Sequence, residues 1–134
     1  LKQKIAHIAL VVKNYDEAID FYTKKLHFNL IEDTCLSETK RWVLIAPKGS
    51  TECCLLLAEA TNEEQKSRIG NQTGERVFLF LYTDDFERDY QNLLHHDIKI
   101  VRELVDEIWG RVLVFSDLYG NLWDLIEPTP QTLS

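Results

Sequence analysis

A chain of 134 residues is the size of one ordinary domain, or of two very small halves sharing a core. Its composition, 45% hydrophobic and 28% charged, suits a globular protein, and the formal net charge of −7 argues against nucleic acid and anionic membrane surfaces as partners. No apolar run approaches the ~18 residues that cross a bilayer, and the three cysteines, Cys35, Cys53 and Cys54, are odd in number with two adjacent, which fits reduced thiols in a cytoplasm rather than a disulfide framework.

The opening segment reads as a first strand, not a signal peptide, because no small-residue cleavage site follows its short apolar stretch. In KIAHIALVV (4–12) both alternating faces are nearly apolar, as in a strand covered on both sides. NYDEAIDFYTKKLHF follows as a helix. Asn14 can cap it with Glu17 three residues on, and Ala18, Ile19, Tyr22 and Leu26 form one buried stripe. FNLIEDT, RWVLIAP and ECCLLLAEA read as three strands, the last two joined by the turn KGST. Residues 59–75 are polar and read as a linker or flap, with a short helix in NEEQKSRIG capped by Asn62 and ended by Gly70. The pattern then restarts: strand RVFLFLY, helix TDDFERDYQNLLHH capped by Asp84 or Asp85, and strands IKIVREL, RVLVFSD and NLWDLIEP.

Setting Val12 on Thr83 gives an offset of 83 − 12 = 71, which also brings His7 onto Phe78, Asp16 onto Glu87 and Gly49 onto Gly120. The chain therefore divides into a first βαβββ module (1–58), the linker (59–75), a second βαβββ module (76–128) and a tail (129–134), together one structural domain. One helix covers one face of a small sheet and leaves the other bare, so two such modules gain by burying or curling those bare faces together.

HIALVVKNYDEAIDFYTKKLHFNL followed by VFSDLYGNLWDLIEP resembles the vicinal oxygen chelate superfamily of glyoxalases, bleomycin- and fosfomycin-resistance proteins and extradiol dioxygenases. The resemblance covers nearly the whole chain. It implies an α+β fold whose two tandem modules form a curved eight-stranded cup, with a ligand cavity, a divalent metal such as Mn, Ni, Fe or Zn in many members, and a homodimer. Metal-using relatives take ligands from the first and last strand of each module. Carried over, those positions fall on His7, on Cys54 or Leu56, on Phe78 and on Asp124. Only His7 and Asp124 are credible ligands, with Tyr82 and Glu52 as possible substitutes on the same faces.

His7 and Asp124 are thus the candidate catalytic or metal-binding pair, the alternative being an Asp–His hydrogen bond without metal. Phe78, Phe80 and Tyr82 share one strand face that would suit a small aromatic or amphipathic ligand; Trp42, Trp109 and Trp123 could add to its walls or pack in the core, and Cys54 and Leu56 are further wall candidates. Arg41 and Arg111 could grip an anionic group, or simply pair with acids. Gly120 and Asn121 are explained by turn chemistry, and His27, His95 and His96 by helix ends. The leading expectation is a cytoplasmic small-molecule-binding protein that lacks a complete metal site and is not a true glyoxalase I. The alternatives are a divergent metal-dependent lyase, isomerase or dioxygenase using His7 and Asp124, or a degenerate member with a filled, non-binding cup.

Overall fold

The computed structural model describes residues 1–130, so most of the tail expected at 129–134 lies outside the described residues. The chain resolves into two compact units that meet between Ile69 and Gly70, inside the segment expected as a linker. The first holds strand β1 (His7–Val12), helix α1 (Tyr15–Asp20), strands β2 (Asn29–Cys35), β3 (Arg41–Ala46) and β4 (Cys54–Glu59), and the short helix α2 (Glu63–Ser67). The second holds β5 (Leu79–Tyr82), α3 (Phe86–His95), β6 (Ile100–Glu107), β7 (Gly110–Ser116) and β8 (Leu122–Pro128). Each unit carries one four-stranded sheet with the same topology, β1-β4-β3-β2 and β5-β8-β7-β6. In each, the first strand lies parallel to the last and the remaining pairs are antiparallel. This is an α+β fold of eight strands in two βαβββ modules.

Both helix starts are built alike. The Oδ1 atoms of Asn14 and Asp85 accept the backbone N–H groups of Glu17 and Arg88, as N-cap residues do. The next backbone N–H, of Tyr15 or Phe86, is taken by a carboxylate at the end of the module's last strand, Glu59 at 3.2 Å and Glu127 at 2.8 Å. These glutamates tie each helix to the sheet it covers, and their negative charge suits a helix N-terminus. Replacing Asp85 by alanine is expected to cost about 1 kcal/mol. A urea titration checks this, the midpoint falling while the slope stays unchanged.

The helix-covered face of the first sheet carries Leu10, Val12, Val43, Ile45, Leu55 and Leu57, all buried. Its counterpart in the second carries Leu113, Phe115, Trp123 and Leu125, with the Phe115 and Trp123 rings stacked at 5.9 Å, above which Phe86, Leu93 and Ile98 are buried. The two helices differ by one residue. After Asp20 the first relaxes into a π-helical turn, Phe21–Lys25, and the Phe28 N–H bonds back to the Tyr22 carbonyl. At the end of α3 the Ile98 N–H bonds back to Leu93. The π turn absorbs the extra residue without rotating the buried stripe off the sheet. His27 and Asp97, which follow these helices, both adopt positive φ (62° and 53°).

Candidate functional site

Strand register assembles the uncovered face of the second sheet. Phe80 pairs with Asp124, Asp124 with Val114, and Val114 with Arg102, so these four side chains form one row on one face. The next row is Tyr82, Ile126, Val112 and Val105. Phe78 precedes β5 on the same face, its N–H bonded to the Leu122 carbonyl at 2.8 Å. The floor is apolar: Val114 and Ile126 are buried and Leu122 and Val112 half-buried. The aromatic groups stand clear of it, Phe80 being 62% and Tyr82 56% exposed.

Asp124 sits half-buried in this floor, and its carboxylate makes no hydrogen bond or ion pair among the described residues. Loss of hydration raises its pKa above the ordinary carboxylate value, and the positive charge of Arg102 partly opposes that rise. Two strand spacings put the Arg102 and Asp124 backbones roughly 10 Å apart, which accounts for a felt charge without a salt bridge. Sequence reasoning had not singled out Arg102. The signal was a lone arginine inside the alternating IKIVREL, but its face depends on irregular β6–β7 pairing, with register shifts on both sides of Arg102.

On the first sheet, His7 pairs with Cys54 and Ala9 with Leu56. Leu44, Ala46 and Cys54 form a small buried cluster on this face, with Trp42 and Leu56 packed against it. The His7 ring is exposed and meets Trp42 edge-on at 5.9 Å. The Cys54 thiol is buried and donates to the Thr51 carbonyl at 3.8 Å. Trp42, Cys54 and Leu56 are thus brought together beside His7.

Three other candidates lie elsewhere. Arg41 is on the helix-covered side, bound in two hydrogen bonds by Asp33 and in a third by Asp16, with its guanidinium over the Tyr15 ring. Those two carboxylates raise its pKa further above the usual arginine range. Arg111 repeats the arrangement with Asp106 and the Phe86 ring. Trp109 sits at the β6–β7 turn, next to the fully exposed Ile108.

The residues present do not fit the divalent metal the resemblance implies. The closing-strand acid of the first module is decided by register. Asp124 pairs with Phe80, and Ala9, the counterpart of Phe80 at 80 − 71 = 9, pairs with Leu56. Leu56 is therefore the register counterpart of Asp124, where the resemblance implies a carboxylate, and Phe78 stands where it implies the second imidazole. Among the described residues no group of three or more histidine, cysteine, aspartate or glutamate side chains could hold a metal ion. No helix among them is long and apolar enough to cross a membrane.

The model of the Glyoxalase/Bleomycin resistance protein/Dioxygenase superfamily matches residues 4–125, and the chain belongs to that superfamily. It is 59% identical over 128 residues to an uncharacterized protein of Shewanella frigidimarina, spanning 95% of each chain. Among solved structures it is similar to UcmS2, with a TM-score of 0.82 and 25% identity, covering 95% of this chain and 99% of that one. It is also similar to TnmS3, an antibiotic binding protein from Streptomyces sp. CB03234, with a TM-score of 0.76 and 26% identity, covering 96% and 98%.

Proposed function

We propose that this chain is a metal-poor, small-molecule-binding member of the superfamily and not a glyoxalase I, with its ligand held on the open face of the second sheet. The observation that carries this reading is the exposed pair Phe80 and Tyr82 beside a half-buried carboxylate, Asp124, that has no partner among the described residues. Core-filling aromatic residues would be buried and a structural aspartate would be bonded. The likeness to an antibiotic binding protein supports binding over turnover. Glyoxalase chemistry needs an enediolate held on a metal beside carboxylate bases, and Leu56 and Phe78 supply neither ligand nor base.

In this reading Phe78, Phe80, Tyr82 and Asp124 contact the ligand. His7, Trp42, Cys54 and Leu56 form an apolar face of the first module, with no metal between donor groups. Arg41, Arg111 and Trp109 take no part. The protein works in the cytoplasm as a homodimer, its modules spanning 1–58 and 76–128 and joined by 59–75; light scattering on the eluting peak tests the dimer.

Elemental analysis of protein purified without chelator is expected to find far less than one equivalent of Mn, Ni, Fe or Zn, and EDTA is expected to leave the Tm unchanged. A stoichiometric metal would overturn the proposal in favour of a divergent metal enzyme using His7 and Asp124.

A further inference from the structure

Asp124 is a half-buried carboxylate of the open face whose side chain lacks a bonding partner among the described residues, and what it lacks defines what it would accept. A carboxylate is an acceptor only, so its missing partner is a donor: an ammonium, an amidine or another polarised N–H or O–H. The row in which it lies adds shape. Phe80, its register neighbour, presents an exposed ring, and Tyr82 adds a second ring one row on. Val114 on the other side offers no hydrogen bond, so a ligand lying flat on this floor meets aromatic carbon, then an acceptor, then aliphatic carbon. The polar group at the far end of the row is Arg102, which repels a cation placed beyond Val114 and leaves the Asp124–Phe80 end as the favourable place for positive charge.

We infer that this face selects planar aromatic ligands that carry a protonated amine or a comparable donor, with Asp124 receiving the donor and Phe80 and Tyr82 stacking on the ring. The inference rests on the small-molecule reading above and narrows it to a ligand class. Cations are attracted to aromatic faces as well as to carboxylates, so the ring pair and the acid act on the same group. A charge-assisted hydrogen bond on an apolar floor is worth at least a factor of ten in affinity.

The test compares a cationic tricyclic dye, proflavine, with its parent ring acridine, which at pH 8 is neutral and carries no N–H or O–H donor, by fluorescence titration at constant ionic strength. Proflavine is expected to bind at least tenfold more tightly. Asp124→Asn should bring the proflavine-to-acridine affinity ratio close to one, whereas Phe80→Ala should weaken both probes. Arg102→Gln should tighten proflavine, because a repelling charge is gone, a result that a merely structural role for Arg102 would not give. Asp20→Asn controls for net charge: Asp20 pairs with Lys24 on the surface of α1, so its loss should not alter the preference. Equal binding of the two probes, or a preference that survives Asp124→Asn in a folded variant, overturns the donor inference while keeping the small-molecule site. Binding of neither probe overturns both.

Discussion

Replacing Asp117 by alanine is expected to lower stability by about 3–5 kcal/mol and the Tm by roughly 10 °C or more. Asp117 is 5% exposed and lies in the turn between β7 and β8. Its Oδ1 accepts the backbone N–H groups of Tyr119, Gly120 and Asn121 at 2.9, 3.0 and 2.9 Å, and its Oδ2 accepts the Asn121 side-chain amide at 2.9 Å. Alanine withdraws the acceptor from all four donors, and the buried setting keeps water from replacing it fully. Asp117→Asn keeps one oxygen for the three backbone donors, and the Asn121 amide can turn to accept from the new NH2 group. That variant is expected to cost only about 1–2 kcal/mol. Thermal melts of both variants check the order, and equal losses would mean that charge, not acceptor geometry, matters. The effect should reach the candidate site, because this turn sets the pairing of Ser116 with Leu122 and so the place of Asp124 two residues further along β8.

Most of the fold was legible because local chemistry and the global repeat agree. The offset of 71 brings Asn14 onto Asp85 and Tyr15 onto Phe86, and the structure gives both pairs the same capping geometry. Gly49 and Gly120, paired by the same offset, both take positive φ before the closing strands. The register of those strands was less legible. From Leu56 to Asp124 the offset is 124 − 56 = 68, three fewer, because the first module has a longer loop between Gly49 and β4 than the second has between Gly120 and β8. Sequence therefore left Cys54 and Leu56 as equal choices for the missing acid, and strand pairing selects Leu56.

The site was legible in type more than in membership. A period of two places Phe78, Phe80 and Tyr82 on one face, and the structure keeps Phe80 and Tyr82 exposed there. Which face a strand turns to its helix cannot be read from a strand with both faces apolar. That choice decides whether Arg41 and Arg111 look toward a ligand or toward the helix. Their partners settle the matter physically: Asp33 and Asp16 for one, Asp106 for the other, with an aromatic ring of the first helical turn beneath each guanidinium. The glutamates Glu59 and Glu127 were similarly hidden, since their role needs the helix start and the strand end to meet in space.

Gly70→Ala is expected to be about as damaging as the loss of the Asp117 carboxylate, at roughly 3 kcal/mol or more. Gly70 has a φ of +75°, and a Cβ there would fall 1.9 Å from the backbone oxygen of Tyr119. That oxygen belongs to the turn Asp117 holds rigid, so it cannot retreat without breaking the bonds to Tyr119, Gly120 and Asn121. Gly74 supplies the internal control. It also has positive φ, +61°, but a Cβ there meets nothing within 4 Å. Gly74→Ala should therefore show only the backbone strain of a left-handed alanine, about 1 kcal/mol. Chemical denaturation of the two variants side by side separates the terms, and a Gly70→Ala loss no larger than that of Gly74→Ala would mean that the segment is not seated on the turn. A larger loss would identify this contact as what joins the end of the connecting segment to the β7–β8 turn, and through it to the strand that carries Asp124.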